Sequence, residues 1–197
     1  MIQVGITGGI GSGKTTVCLL FQTLGIPIYD ADAAAKRLMT KDPELKKQIT
    51  VMFGEEAYVD AELNRVLISK LVFGNKHLLD QLNNLVHPAV AQDTEKWIIG
   101  QKAPYVIKEA ALLIESGSYN KLDKLIVISA PEELRIQRVM DRNQITRAEV
   151  QARIQNQLPE AKKLEMADYI ILNDGENTLL PQVLTIHRAL LKLAATS

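Results

Sequence analysis

Gly8, Gly13, Lys14 and Thr15 fit the spacing G-x-x-x-x-G-K-S/T inside the stretch GITGGIGSGKTT, Gly5 to Thr16. Glycines at this density leave the backbone bare, so that successive N–H groups can turn inward around an anion. A lysine next in line brings a cation to the outer phosphates of a nucleotide, and a hydroxyl residue after it can ligate magnesium. Gly9, Ile10, Gly11, Ser12, Gly13, Lys14, Thr15 and Thr16 are therefore the expected phosphate and nucleotide contacts. The plainer alternative is a glycine turn that only closes a strand onto a helix.

A phosphate cradle needs something to face the terminal phosphate. In IPIYDADAAAKRL, Asp30 and Asp32 fall at the end of an apolar run. At the carboxyl edge of a parallel sheet a carboxylate can accept or orient the proton of an attacking hydroxyl. Asp32 serves equally as an N-cap for the following helix, and Asp30 as a strand-end cap. Glu109 in YVIKEAALLIES is the acid placed to give magnesium a second ligand, with Glu115 competing for that role and a structural role for Glu109 as the alternative. Arg135, Arg138 and Arg142 recur at intervals of three and four, which puts them on one helix face. That face is either solvated or a lid whose Arg138 and Arg142 close over a transferring phosphoryl group. His87 precedes Pro88 in NLVHPAV, and Arg65 lies in a helical pattern; each reads as an anion contact or as a surface or junction residue. Cys18 reads as packing.

The elements that must position these residues follow from periodicity. Ile2 to Thr7, Ile26 to Asp30, Tyr105 to Ala110, Leu125 to Ala130 and Tyr169 to Asn173 are short apolar runs, as buried strands are. Helical patterns separate them, beginning with Lys14 to Gly25, which predicts a parallel sheet with helices on both faces. From Ala31 to about Gly100 no strand candidate appears. Amphipathic segments follow one another there, with Gly54, Gly74 and Pro88 as punctuation and Pro88 as the first residue of a helix. This predicts a helical insertion after the second strand. Arg135 to Gln157 predicts two helices joined at NQIT, with Thr146 and Glu149 forming a capping box.

The 197 residues suffice for one domain with a sizeable core. Twenty-three basic against 23 acidic residues give no net charge, so bulk electrostatics points to no nucleic-acid or membrane partner. One cysteine excludes an internal disulfide and fits a reducing cytosol. No basic leader or long uncharged apolar run is visible, and the expected setting is cytoplasmic.

Taken together, the stretches resemble the dephospho-coenzyme A kinase family over nearly the whole chain. The Thr-Gly-Gly-Ile-Gly-Ser-Gly-Lys run is similar to that family's opening loop, and Asp-Ala-Asp to its base-bearing stretch. LNRVLISKLVFGN and LNNLVHPAV are similar to its coenzyme-binding helices, QRVMDRN and RIQNQ to its lid and the segment behind it, and ADYIILNDG to its adenine-side loop. ALLIESG departs from the usual pattern, with Ala111 for proline and Ile114 for an aromatic residue.

The resemblance implies a P-loop kinase, α/β with a parallel five-stranded sheet. Residues 1–32 and 101–197 would form its nucleotide-binding core, about 33–100 an inserted helical acceptor-binding subdomain, and about 135–157 a short helical lid. It implies ATP with Mg2+ as donor, held by the loop, Arg138, Arg142 and Asn173, the metal by Thr15 and Glu109. Gln157 falls in the segment behind the lid. The acceptor would be dephospho-coenzyme A at Asp32, Arg65 and His87, with Asp32, Lys14 and Arg142 catalytic. The competing expectations are another small-molecule kinase, for a nucleoside monophosphate or a sugar acid, and a nucleotide-dependent switch. A guanine-reading Asn-Lys-x-Asp stretch is absent.

Overall fold

Five apolar runs assemble into one parallel sheet in a computed structural model that describes residues 1–196. The strands are β1 (Ile2–Thr7), β2 (Ile28–Asp30), β5 (Tyr105–Glu109), β6 (Lys124–Ser129) and β7 (Tyr169–Leu172), in the order β2-β5-β1-β6-β7. Every pairing is parallel. Such strands are covered on both faces, which is why they read as continuous apolar runs. Val4, Ile6, Ile107, Ile126, Ile128 and Ile171 are almost fully buried in the core, joined by Val17 and Phe21 of α1 (Lys14–Thr23) and by Val183 and Leu190 of α9 (Leu179–Ala194). β1 lies at the centre, and the loop that follows it opens at the carboxyl edge, where ligands of open parallel sheets bind.

The chain divides into two compact units. One comprises Met1–Asp30 with the stretch from Gln101 onward and contains the whole sheet; the other is Ala31–Gly100. In the first unit, α6 (Glu132–Asn143) and α7 (Arg147–Gln155) follow β6, then α8 (Glu160–Glu165). Thr146 and Glu149 form the capping box at the start of α7, with both reciprocal bonds made. Ile136 and Val139 of α6 pack with Val150 of α7, and Ile10 of the glycine loop packs against the same cluster.

The second unit holds α2 (Ala31–Lys41), α3 (Pro43–Phe53), α4 (Arg65–Val72) and α5 (Lys76–Ile99). Two expectations are corrected here. A small antiparallel hairpin, β3 (Tyr58–Val59) with β4 (Glu62–Leu63), occupies a stretch expected to be helical. Its two-residue turn places Asp60 and Ala61 at φ 50° and 67°, a turn usually signalled by Asn-Gly. Pro88 does not begin a helix but lies inside the 24-residue α5. Proline removes one helical hydrogen bond there, yet Leu82, Val86, Val90 and Thr94 are buried at four-residue spacing. That continuous apolar stripe, against which α2, α3 and α4 pack, carries the helix through the proline.

β5 and α9 are joined by a polar contact inside the core. The phenol of Tyr105, fully buried, lies 2.7 Å from His187 Nδ1. Burial, with a smaller contribution from the Arg188 charge, holds the His187 pKa below its ordinary 6.5. The folded chain therefore favours neutral imidazole. This contribution is complete above pH 6.5 and declines as pH falls toward the lowered folded value. Urea denaturation between pH 7.5 and 5 should show stability falling with pH, and the slope should flatten in His187→Gln.

Candidate functional site

The glycine loop is shaped by the residues packed beneath and beside it. Gly13 sits at φ 92° immediately before α1, in the left-handed region that L side chains avoid. A Cβ there would fall 2.1 Å from Asn173 Nδ2. Gly11, at φ 79°, would place a Cβ 2.4 Å from the carbonyl oxygen of Arg135. The loop folds on itself through a Ser12 N–H bond to the Gly9 carbonyl at 3.1 Å. No side chain caps α1, so its N-terminal dipole is directed at whatever binds the loop. Lys14 Nζ donates to the Gly8 carbonyl at 3.1 Å, which holds the ammonium over the loop. Ser12 Oγ is buried beside Gly8 without a hydrogen-bond partner.

Three side chains from distant sequence positions tie this loop down. Asn173, just past β7, donates from Nδ2 to the Ser12 carbonyl at 2.7 Å. Arg138 donates to the Asn173 carbonyl at 3.1 Å and to its Oδ1 at 3.3 Å. Gln157 Oε1 accepts the Ile10 N–H at 2.9 Å. Thr15 and Thr16 occupy the exposed first turn of α1.

The three arginines expected on one face have three different environments. Arg135 is buried, Arg138 is partly buried against the loop, and Arg142 is exposed, with its Nε bonded to Asn143 Oδ1 at 2.9 Å. On a helix, positions 135 and 139 share a stripe, and Val139 is fully buried, so Arg135 goes inward while Arg138 and Arg142 form the neighbouring row. Arg135 is the residue that the charge pattern alone did not single out.

Of the candidate acids, Glu115 is already engaged. Its Oε1 lies 2.8 Å from the ammonium of Lys163, which is 1% exposed, and accepts the Leu158 N–H at 2.9 Å. Burial alone would raise its pKa, but the Lys163 and backbone bonds prevail and hold it below the ordinary carboxylate range. Glu109 ends β5 and stands in register with Asp30 on β2, so both carboxylates rise from the carboxyl edge on the same side of adjacent strands. Cys18 senses this cluster. Burial chiefly, with the negative fields of Glu109 and Asp30, pushes its thiol up to about 12 despite the opposing pull of Lys14. Cys18 is thus a packed thiol, and Glu109, Asp30 and Lys14 share one neighbourhood. Magnesium takes hard oxygen donors, commonly one or two carboxylates together with substrate phosphates. A hydroxyl at Thr15 and carboxylates at Glu109 and Asp30 fit that requirement.

In the second unit, Asp32 stands exposed in the first turn of α2, past the strand end occupied by Asp30. The helix begins at Ala31, so Asp32 is a first-turn acid and not its N-cap. Arg65 is the first residue of α4, and His87 is exposed midway along α5. Arg65, Val66, Ser69, Lys70 and Phe73 line a surface cavity of about 490 Å³.

The parallel sheet with a glycine loop between its central strand and a helix is the architecture of a P-loop kinase. Shikimate kinase from Acinetobacter baumannii shares the fold, at a TM-score of 0.50 and 16% identity over 98% of this chain and 94% of that one. The dephospho-CoA kinase family model matches residues 2–178, and the chain belongs to that family. It is 38% identical to dephospho-CoA kinase from Coxiella burnetii over the full length of both chains, and 35% identical to that of Bacteroides fragilis over 94% of this chain and 91% of that one. The solved dephospho-CoA kinase from Campylobacter jejuni superposes at a TM-score of 0.69, with 27% identity over 96% and 97% of the two chains. Membership implies nucleotide-dependent phosphoryl transfer.

The loop geometry makes Gly13→Ala a direct test of this site. Left-handed strain and the Asn173 clash should together cost about 1–3 kcal/mol in urea denaturation, with a parallel loss of ATP affinity. Gly25, at φ 80° with open space around it, is the control. Gly25→Ala should lose stability while leaving ATP affinity unchanged.

Proposed function

We propose that the chain transfers the γ-phosphoryl group of ATP to the ribose 3'-hydroxyl of dephospho-coenzyme A, giving coenzyme A and ADP in the final step of coenzyme A synthesis. The observation that carries this reading is the bare loop gripped by Asn173, Arg138 and Gln157 in a chain of this family. Its N–H groups and the α1 dipole hold the donor phosphates, and Lys14 offsets their charge. Asn173 and Arg138 frame the adenine side of the nucleotide. Magnesium, held by Thr15 and Glu109, would neutralise charge on the phosphates.

On the acceptor side, Asp32 takes the proton of the attacking hydroxyl and orients its oxygen toward phosphorus. Residues of about 33–100 form the acceptor-binding subdomain. There Arg65 and Lys70 offer cations to the acceptor's phosphates, while the exposed Val66 and Phe73 offer an apolar surface to its uncharged arm. His87 contacts the same anionic acceptor. The segment of about 135–157 acts as a lid through its exposed Arg142, which comes over the transferring group and helps keep water from it, while Arg135 and Arg138 stay against the loop. No helix among the described residues is long and apolar enough to cross a membrane, and the single cysteine suits a reducing compartment. The cysteine usage is what the proposed cytoplasmic setting rests on.

Turnover with ATP and magnesium over dephospho-coenzyme A, shikimate and nucleoside monophosphates tests the acceptor. Phosphorylation of another acceptor with none of dephospho-coenzyme A would overturn the proposal. Asp32→Asn should bind ATP nearly as the parent does while kcat falls by about 10²–10⁴-fold. Arg65→Ala should raise KM for dephospho-coenzyme A by about tenfold and leave KM for ATP unchanged.

A further inference from the structure

Arg135 is buried beside the glycine loop, against Gly9 and Gly11. Its side chain is 5% exposed. Nε donates to the Ala130 carbonyl at 3.0 Å, just past β6. Nη2 lies 3.1 Å from Glu160 Oε2 on α8 and 3.7 Å from Glu132 Oε2 on its own helix. Glu160 is fixed in turn by the Ser129 hydroxyl, which donates to its other oxygen at 2.5 Å. One guanidinium therefore joins the end of β6, the start of α6 and the start of α8.

Its remaining edge supports the loop. A Cβ on Gly9 would fall 2.2 Å from Arg135 Nη1, and the Gly11 Cβ would meet the Arg135 carbonyl. Two glycines of the loop are thus bare toward Arg135, Gly9 toward its guanidinium and Gly11 toward its backbone. The residue between them, Ile10, is held by Gln157, three residues before Glu160. An apolar side chain of similar volume would fill the same space without the desolvation cost of a buried charge. Such a residue would lack a planar fork able to bond three elements at fixed angles, and it would place no positive charge beneath a loop that receives phosphates.

We propose that Arg135, held by Glu160, is a positioning residue for the phosphoryl donor: it sets the backbone of Gly9 to Gly11 so that the loop N–H groups converge on the phosphates. The inference rests on the donor half of the reaction proposed above and is independent of the acceptor.

Calorimetric titration with Mg-ATP, with each variant kept well below its thermal midpoint, separates positioning from bracing. Glu160→Gln and Arg135→Gln should each raise the Kd for ATP by about tenfold and lower kcat, with KM for dephospho-coenzyme A unchanged. The double variant should be no worse than the poorer single one, since both break the same link. Arg135→Lys, which keeps charge and bulk but lacks the fork, should recover thermal stability without recovering ATP affinity. Variants that lose stability but bind ATP like the parent would overturn the proposal, and so would full recovery of affinity in Arg135→Lys. Should Arg135→Gln fail to fold, Glu160→Gln carries the same expectations, because Glu160 is partly exposed and tolerates loss of charge better. A parent chain that fails to bind ATP would instead overturn the donor reading itself.

Discussion

The glycine loop in front of α1 leaves that helix without a side-chain cap and its N-terminal dipole facing into the loop, and the packing around the loop depends on that arrangement. Ordinary proteins place Ser, Thr, Asp or Asn at such a position. Here Gly13 stands there in a left-handed conformation, which L side chains avoid and which lets the turn curl in front of the helix. Such a loop has few side chains of its own with which to pack, and its conformation must be imposed by its surroundings. Asn173 and Arg138 supply that from one side and Gln157 from another, while Ile10, the loop's largest apolar side chain, is anchored between α6 and α7. Preorganisation matters because N–H groups that must reorganise on binding lose much of their electrostatic advantage.

The same demand explains why so much ionic structure is buried in the stretch between Gln157 and Lys163. Glu160 holds Arg135 beneath the loop, and Lys163 engages Glu115 beyond the end of β5. Breaking a buried pair by removing one partner typically costs about 3–5 kcal/mol, although partial exposure of Glu160 and Glu115 lowers that figure here. Such pairs add little net stability over an apolar substitute. What they add is directional, since they tie α8 to α6 and to the segment after β5.

Much of this was legible in the sequence because it obeys local rules. Buried parallel strands are continuous apolar runs, so all five were visible, and Thr146 with Glu149 announced the start of α7. The G-x-x-x-x-G-K-S/T spacing located the loop because its chemistry lies in the backbone of consecutive residues. The misreadings came where tertiary packing overrode a local signal. Pro88 reads as a boundary, but the buried stripe from Leu82 to Thr94 holds α5 together through it. The hairpin at residues 58–63 is too short to show alternation, and its Asp-Ala turn lacks the glycine that marks such turns. Glu115 competed with Glu109 because Lys163, the residue that engages it, is 48 positions away.

Arg135 shows why charge patterning misleads in particular. Three arginines at spacings of three and four look like a single solvated or ligand-facing row, and charge alone cannot distinguish them. Periodicity counted with the apolar residues included separates them, since Arg135 and Val139 fall on one stripe and Arg138 and Arg142 on the next. The inward arginine packs its guanidinium beside Gly9, the middle one bonds the loop through Asn173, and the outermost is exposed at the last turn of α6. One helix thus places its three arginines at three depths, buried, half-buried and exposed, and burial decides which of them can touch the loop.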